Sequence, residues 1–290
     1  MAIFALFLAA FTWGSAFCVL KDTLENVSPI WLLAFRFLLA GIIMTLVCIP
    51  RMKKMSIRTL KRGIIMGIVL YFEFLFFTVG LQYTTSSKSS FIIGSYVAIL
   101  PLIYWVICGK KPQRADILAA LVCIVGLGFI LLGSFDGVNK GDLISLLSAV
   151  CYAIHIVVTG IFAREEDGFL LNMLQIGTGG ILGLVAAMIL EPHPAAMSGM
   201  NIGSIAYLAV FCTVVPYLLS VFGQKYVKTS TSGVILSFES VFGCILSILI
   251  LGEHPGVRFV IGAMLMMCSF LIVEKIFLPL PKRVAVEAEK

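Results

Sequence analysis

The sequence predicts an all-α polytopic membrane protein with ten transmembrane helices in two inverted five-helix repeats. Three observations predict it: an apolar composition, ten long apolar runs and an internal duplication. Of the 290 residues, 60% are apolar and 12% are charged, about half the charged share of a soluble domain. The mean hydropathy is +1.09. A soluble domain of this composition would expose apolar surface on every side, so a soluble fold and a secreted disulfide scaffold are excluded.

Ten apolar runs are separated by charges and turn residues, and most approach the ~20 residues that a helix needs to cross a bilayer. Lipid offers no hydrogen-bond partners, so a run of this length must satisfy its backbone groups internally as a helix. The alternating segments of about 10 residues that build a membrane β-barrel are not visible. The runs lie at roughly 2–20, 30–50, 63–82, 89–108, 115–133, 142–163, 169–190, 202–223, 231–250 and 257–277.

The distribution of basic residues predicts the orientation. If the N-terminus is cytoplasmic, 16 of the 21 Lys and Arg residues fall in cytoplasmic loops or the C-terminal tail, four fall outside, and Arg36 lies within a run. Cytoplasmic loops carry the excess of positive charge in membrane proteins. We therefore expect a protein of the cell membrane with both termini in the cytoplasm. The net charge of +6 follows from this topology, and no nucleic-acid partner is expected.

The second half of the chain repeats the first. A shift of 143 residues places Gly80, Tyr83, Ser87, Ser89 and Ile92 on Gly223, Tyr226, Ser230, Ser232 and Ile235, and Gly109, Pro112 and Ala120 on Gly252, Pro255 and Ala263. The predicted organisation is a first repeat at 1–133, a linker at 134–141, a second repeat at 142–278 and a cytoplasmic tail at 279–290.

Each predicted copy holds five spans, an odd number, so the second copy must lie upside down in the bilayer. Inverted repeats give a protein two nearly equivalent packings, one open to each side, around a site near the midplane. The loops are short and contain no Gly-x-x-x-x-Gly-Lys-Ser/Thr phosphate loop, which excludes a built-in ATPase. The pattern favours a carrier driven by a gradient.

Ionisable side chains within the runs are the candidate functional residues, because each costs roughly 2.5–3.5 kcal/mol at a helix centre. Glu73 lies among aromatic residues and shares a helical face with Phe77. A carboxylate beside aromatic rings suits an amine or another cation, and a carboxyl group in an apolar site can also carry a proton. The alternative is a structural carboxylate, paired with Arg36 or hydrogen-bonded to a neighbouring helix.

Glu239 and Arg36, like Glu73, can be interpreted either as functional residues of a cavity or as structural residues. The 143-residue shift matches Glu239 to Tyr96 and Glu73 to Pro216, which fits a central cavity lined by both repeats. A helix-packing hydrogen bond is the alternative for Glu239. Arg36 has the geometry to bind a substrate carboxylate through two hydrogen bonds, although a structural ion pair is the favoured interpretation.

His155 belongs to a polar stripe on one helical face. The stripe consists of Ser145, Ser148, Tyr152, His155 and Thr159, spaced as one face of a helix. In lipid such a stripe must face protein or water, so His155 is predicted to line the cavity. No second His or Cys follows at ligand spacing, so we expect no metal site.

Several short motifs occur in a characteristic order: Trp13-Gly14-Ser15, Arg36-Phe37, the segment from Gly80 to Phe91, Pro101-Leu102, Gly109-Lys110-Lys111-Pro112, Gly141-Asp142-Leu143, Phe238-Glu239 and Gly252-Glu253. In this order the chain resembles the EamA-type transporters of the drug/metabolite transporter superfamily over roughly residues 1–275. The resemblance implies ten helices in two inverted repeats. It also implies a cavity formed mostly by the first, third and fourth helices and their mates, which carry Trp13, Glu73, Tyr96, Tyr152, His155 and Glu239 here. The family often has Glu-Pro in the ninth helix, where this chain has Ser240 after Glu239.

These observations predict a secondary transporter that moves a small metabolite, such as an amino acid, an amine or a related compound, by alternating access to a midplane cavity. Trp13, Phe77, Tyr96 and Tyr152 would form aromatic walls. Glu73, His155 and Glu239 would orient the substrate and are the candidates for a coupling proton. The expected partners are this substrate, the proton and the lipid bilayer, with no cofactor. The sequence leaves the oligomeric state open.

Three alternatives remain at this point. One is a multidrug or toxic-compound exporter of the same fold. Another is a structural or receptor subunit that transports nothing. The third is an intramembrane enzyme that modifies lipid, which would need a nucleophile beside a base. His155 with Ser148 or Tyr152 is the candidate pair for that enzyme.

Overall fold

The computed structural model describes residues 1–132, 138–194 and 197–273. Of the predicted linker only residues 138–141 are described, and the predicted tail at 279–290 lies outside the described residues. The helices are α1 (Ala2–Thr23), α2 (Pro29–Cys48), α3 (Ile57–Gln82), α4 (Ser86–Gly94), α5 (Tyr96–Cys108), α6 (Arg114–Leu132), α7 (Lys140–Phe162), α8 (Gly168–Leu190), α9 (Gly199–Ala209), α10 (Val215–Tyr226), α11 (Thr229–Leu236), α12 (Phe238–Leu251) and α13 (Val257–Val273).

The predicted all-helical membrane fold is confirmed. Within the described ranges, nine helical segments of 19 to 28 residues are long and apolar enough to cross a membrane. Helix α13 is a shorter apolar helix of 17 residues. Three of the nine segments join consecutive helices: α4 with α5, α9 with α10, and α11 with α12. The chain is thus a multi-pass membrane protein.

The loops contact one another in two separate groups, one at each predicted end of the bundle. At the predicted cytoplasmic end, Arg62 Nη1 lies 2.8 Å from Glu166 Oε1 and Arg51 Nη1 lies 3.1 Å from Asp167 Oδ2. At the predicted external end, Trp31 N donates to Glu191 Oε2 at 3.0 Å. These ion pairs and caps therefore join loops that the topology prediction places on the same side.

A second set of polar contacts anchors the start of α4 at the predicted external end. The backbone N–H groups of Ser86 and Ser87 donate to the Glu253 carboxylate at 2.8 and 2.9 Å. Lys88 Nζ lies 2.6 Å from Asp142 Oδ2. A carboxylate at a helix N-terminus satisfies backbone donors that have no partner within the helix and interacts favourably with the helix dipole. The first turn of α4 is thereby tied to the loop after α12.

Two membrane segments are interrupted by a serine near their middle. Ser95 separates α4 from α5, and Ser237 separates α11 from α12. Each serine Oγ donates to the carbonyl three residues earlier, Ile92 O at 2.6 Å and Val234 O at 2.7 Å, a back-bond that bends helices. The interruptions lie 142 residues apart, within one residue of the shift that relates the two halves of the sequence.

The third interrupted segment contains a π-helical turn at Val210–Val214, between α9 and α10. Such turns appear inside α-helices frequently at functional sites, because the wider turn redirects carbonyls and side chains. Thr213 Oγ1 donates to Leu208 O at 2.9 Å across this turn.

Glycines allow close contact between the membrane helices. A methyl group added at Gly126 of α6 would lie 2.8 Å from the carbonyl oxygen of Gly262 of α13. A methyl group added at Gly180 of α8 would lie 3.2 Å from the carbonyl oxygen of Phe37 of α2. Small residues let helix backbones approach in lipid, where van der Waals packing replaces the hydrophobic effect between helices.

Candidate functional site

A small cavity lies near the middle of the bundle, between α1, α2, α3, α4, α7, α10 and α12. The space in which a water-sized molecule can be centred is about 30 Å³, enough for two or three waters at roughly 10–15 Å³ each. Seven of the residues singled out from the sequence line this cavity: Trp13, Arg36, Glu73, Phe77, Ser148, Tyr152 and Glu239. Phe17, Phe74 and Tyr217 also line it.

Four polar side-chain atoms of the lining are buried without a hydrogen-bond partner in the part of the chain that the structure describes. Two are donors, Trp13 Nε1 and Arg36 Nη1, and two are acceptors, Glu73 Oε2 and Glu239 Oε1. A buried polar group without a partner costs about 1–3 kcal/mol, and more when it is charged. The lining therefore offers both kinds of hydrogen-bonding group to a bound molecule.

Arg36 is held by the π-helical turn. Its Nε donates to Thr213 Oγ1 at 2.8 Å, its Nη2 donates to Cys212 O at 2.7 Å, and its guanidinium carbon lies 4.7 Å from the centre of the Phe74 ring. Among the described residues no carboxylate lies within 4.0 Å of Arg36, so the structure shows no direct ion pair there. The turn at Val210–Val214 supplies neutral acceptors instead, and Nη1 has no hydrogen-bond partner among the residues that the structure describes.

Glu239 is supported by two tyrosines whose rings pack against each other. Tyr152 OH donates to Glu239 Oε2 at 3.3 Å. The ring of Tyr96 packs against that of Tyr152, with the two ring centres 4.3 Å apart, and its hydroxyl donates to Gly233 O at 2.8 Å. Tyr96 therefore lies behind Tyr152 and does not line the cavity. It supports Glu239 only through its contact with Tyr152.

Glu73 is positioned by two residues of α7. Ser148 Oγ donates to the Glu73 carbonyl at 2.9 Å, and Glu73 Oε2 lies 3.7 Å from His155 Nδ1. His155 also contacts α8, with 2.8 Å between its Nε2 and Gln175 Oε1. All five residues of the polar stripe on α7 are buried in protein. His155 itself lies behind Glu73 and does not line the cavity.

The nucleophile and base expected for a lipid-modifying enzyme are not brought together. Ser148 and Tyr152 donate their hydroxyls to Glu73 O and Glu239 Oε2. In the described ranges neither hydroxyl is hydrogen-bonded to His155, whose ring nitrogens face Gln175 and Glu73. The geometry therefore does not favour that alternative.

Some residues around the cavity are absent from the sequence predictions. Tyr217 matches Phe74 under the 143-residue shift, and their ring centres are 6.3 Å apart, so applying the shift to Phe74 would have found it. Asn172 and Gln175 are the two amide side chains of the run at 169–190, and both are buried. These two amides were a visible signal in the sequence. Thr213 carried no such signal, because its role depends on the π-helical turn.

A model of the EamA-like transporter family matches the chain twice, over residues 1–132 and 139–274. The chain belongs to the EamA-like transporter family. The resemblance noted in the sequence is thus confirmed, and the protein is a membrane transporter.

Several relatives of this EamA-like transporter are also named as transporters. An uncharacterized transporter of Archaeoglobus fulgidus is 30% identical over 92% of this chain and 83% of its own length. An S-adenosylmethionine/S-adenosylhomocysteine transporter of Chlamydia muridarum is 27% identical over 95% of this chain and 92% of its own length. A solved crystal structure of 16% identity shares the fold, with a TM-score of 0.70 over 93% of this chain and 95% of that one.

Proposed function

We propose that this EamA-like transporter is a secondary transporter for a small metabolite that carries both an ammonium and a carboxylate group, as an amino acid does. The four unpartnered atoms of the cavity support this proposal. Trp13 Nε1 and Arg36 Nη1 would donate to the substrate carboxylate, and Glu73 Oε2 and Glu239 Oε1 would accept from its ammonium group. A hydrogen bond that involves a charged group is about twice as strong as one between neutral groups.

The aromatic part of the lining suits the rest of the substrate. Trp13, Phe77 and Tyr152 present ring surfaces to the cavity, and rings attract an ammonium group as well as apolar carbon. The two metabolites named for the Chlamydia muridarum relative each carry an amino-acid end, which fits the same donors and acceptors. The cavity has room for only two or three waters, so the substrate would bind in a more open conformation.

The proposed mechanism is alternating access between two inverted repeats, at 1–133 and 142–278. The double match of the family model supports two copies. The paired interruptions at Ser95 and Ser237 support equivalent breaks in the two copies, and transporters form central sites from such discontinuous helices. Rocking of one copy against the other would open the cavity to one side at a time.

The proposed location is the cell membrane, with both termini in the cytoplasm. The excess of Lys and Arg in one set of loops supports this orientation. The separation of the loop contacts into two groups supports the alternation of the spans, since Arg62 pairs with Glu166 at one end and Trp31 with Glu191 at the other.

Ligand binding to the purified transporter tests the substrate class, because a ligand that binds the folded state raises the melting temperature. Each L-amino acid would be compared with the amine that lacks its carboxylate and with the acid that lacks its amino group. We expect at least one amino acid to stabilise the protein and both truncated analogues to fail. Equal stabilisation by apolar amines without a carboxylate would favour a multidrug exporter, and a preference for polyanions would contradict the proposal.

Transport of the stabilising amino acid into proteoliposomes tests the residues. Arg36→Lys and Glu239→Gln should each reduce flux about 10- to 100-fold, because a hydrogen bond to a charged group contributes about 1.5–3 kcal/mol. Glu25→Gln is the control, since Glu25 lies exposed in the loop after α1. Flux at the wild-type level in both cavity variants would contradict the assignment.

A further inference from the structure

A chain of side-chain amides leads from α10 to His155. Asn172 Nδ2 donates to the carbonyl of Tyr217 at 3.1 Å. A carbonyl can only accept, so this contact fixes the orientation of the Asn172 amide and turns its Oδ1 toward Gln175. Gln175 Nε2 donates to that oxygen. Gln175 Oε1 is then the atom that lies 2.8 Å from His155 Nε2.

This orientation fixes the tautomer of His155. Gln175 Oε1 is an acceptor, so His155 Nε2 must carry the hydrogen that joins them. In a neutral imidazole the other nitrogen, Nδ1, then has a lone pair and no hydrogen. The Nδ1 lone pair of His155 faces Glu73 Oε2 across 3.7 Å, and that carboxylate oxygen is buried with no hydrogen-bond partner among the described residues.

Two facing acceptors repel one another unless a proton lies between them. One added proton satisfies both atoms, and a small rotation of the Glu73 side chain brings them to a hydrogen-bond distance of about 2.5–3.2 Å. We propose that Glu73 and His155 form a binding site for one proton, and that Gln175 and Asn172 are positioning residues that hold His155 in the tautomer this site requires. This inference rests on the proposed function only for the role of the proton. A proton on Glu73 would remove the negative charge that Glu73 otherwise offers to the substrate.

Burial favours a neutral Glu73 carboxylic acid hydrogen-bonded to a neutral His155. Both side chains are buried, and a buried charge without a hydrogen-bonded partner of opposite charge is costly. The titratable or charged groups that face the pair from the helices packed around it are Arg36 of α2, Tyr96 of α5, Cys151 and Tyr152 of α7, Tyr217 of α10 and Glu239 of α12.

Spectroscopy of the substrate-free protein tests the site. The chain has three histidines, His155, His193 and His254, so nitrogen-15 NMR of histidine-labelled protein resolves each ring, and His155→Gln assigns the signal of interest. We expect the neutral tautomer protonated at Nε2 near neutral pH. Neutral His155 protonated at Nδ1, an imidazolium, or a mixture of tautomers would overturn the proposal.

Infrared spectroscopy reports the other partner, because a protonated carboxyl group has a carbonyl band that a carboxylate lacks. We expect such a band from the wild-type protein at neutral pH, with one component that is lost in Glu73→Gln and kept in Glu239→Gln. Absence of the band in the wild type, or an unchanged band in Glu73→Gln, would overturn the proposal. The wild-type spectra require no variant to fold.

Asn172→Leu tests the positioning residues. Asn172 makes no direct contact with His155, but its removal frees the Gln175 amide to turn over, so we expect the single His155 tautomer to give way to a mixture. A variant that folds and keeps the wild-type tautomer would overturn the role of Asn172. These measurements use no substrate, so their failure would leave the amino-acid binding test unaffected, and failure of that test would leave them unaffected.

Discussion

Ser240 of α12 and Ser90 of α4 exchange a reciprocal pair of buried hydrogen bonds. Ser240 Oγ donates to Ser90 O at 2.7 Å, and Ser90 Oγ donates to Ser240 O at 3.2 Å. The EamA-type sequences that this chain resembles often have proline after the glutamate of the ninth helix, and a proline has no hydroxyl to donate. Here the serine connects the two interrupted segments directly beside Glu239.

Removing these hydroxyls should destabilise the protein in a coupled manner. We expect Ser240→Ala and Ser90→Ala each to lower the free energy of unfolding by about 0.6–1.7 kcal/mol, the range measured for hydrogen bonds between membrane helices. The double variant should lose less than the sum of the two, because the pair acts as one unit. Unfolding of the four proteins under identical conditions measures the coupling, and strictly additive losses would contradict it.

The contact between Gly126 and Gly262 predicts that alanine substitutions at Gly126 and Gly128 of α6 differ in their effect on stability. Gly126→Ala should destabilise the transporter by about 1–3 kcal/mol, because the new methyl group would press on the Gly262 carbonyl at 2.8 Å and overpack the interface. Gly128→Ala is the matched control, since a methyl group there meets nothing within 4 Å. Thermal unfolding of both variants decides the point, and equal melting temperatures would show that α6 and α13 pack differently.

The indole nitrogen of Trp13 is predicted to bind the substrate carboxylate. Trp13→Phe keeps an aromatic ring but removes the donor, so the dissociation constant of the stabilising amino acid should rise about 10-fold, the equivalent of a hydrogen bond of about 1.4 kcal/mol. Trp105→Phe is the same substitution at a side chain that is 43% exposed on the outside of the bundle. It should leave binding unchanged. An equal effect of the two substitutions would show that Trp13 acts through stability alone.

The ion pairs at the predicted cytoplasmic end predict a dependence of stability on pH. The hydrogen bond from Arg62, with the charges of Arg62 and Arg58, holds the pKa of Glu165 below its ordinary value. A lowered pKa in the folded state adds stability above the ordinary pKa of a glutamate, and that stability is lost as the pH falls through the lowered value.

We therefore expect Glu165→Gln to lower the melting temperature slightly at neutral pH and to match the wild type under acid conditions. Glu25→Gln, in a loop at the opposite end, is the control and should show no convergence of this kind. A difference between Glu165→Gln and the wild type that stays constant with pH would contradict the role of this ion pair.

The helices and the broad class of the protein were predictable because lipid imposes a simple rule. Each span must be long, apolar and internally hydrogen-bonded, and the sequence displays this in runs such as 30–50. The interruptions at Ser95 and Ser237 were not predicted. Many serines occur in these segments, and only the packed structure determines which of them donates to its own helix.

The cavity was partly predictable for a related reason. Charged residues are so costly in lipid that Arg36, Glu73 and Glu239 stand out in the sequence, and the structure places all three around one cavity. Tyr96 and His155 proved to lie one layer behind it. Their depth along the helix was visible in the sequence, but the rotation and tilt that set them behind Tyr152 and Glu73 depend on the neighbouring helices.

The helices α4 and α11, which match one another in the two halves, are capped differently at their N-termini. At the predicted external end, Glu253 holds the first turn of α4 through two backbone N–H groups. The residue that matches Glu253 in the first half is Lys110, whose ammonium group cannot accept such bonds, and in the described structure the N-cap of α11, Lys228, makes no side-chain capping bond. Under the proposed mechanism, opening the external end would break the Glu253 contacts with α4, and opening the opposite end would break no equivalent contact with α11.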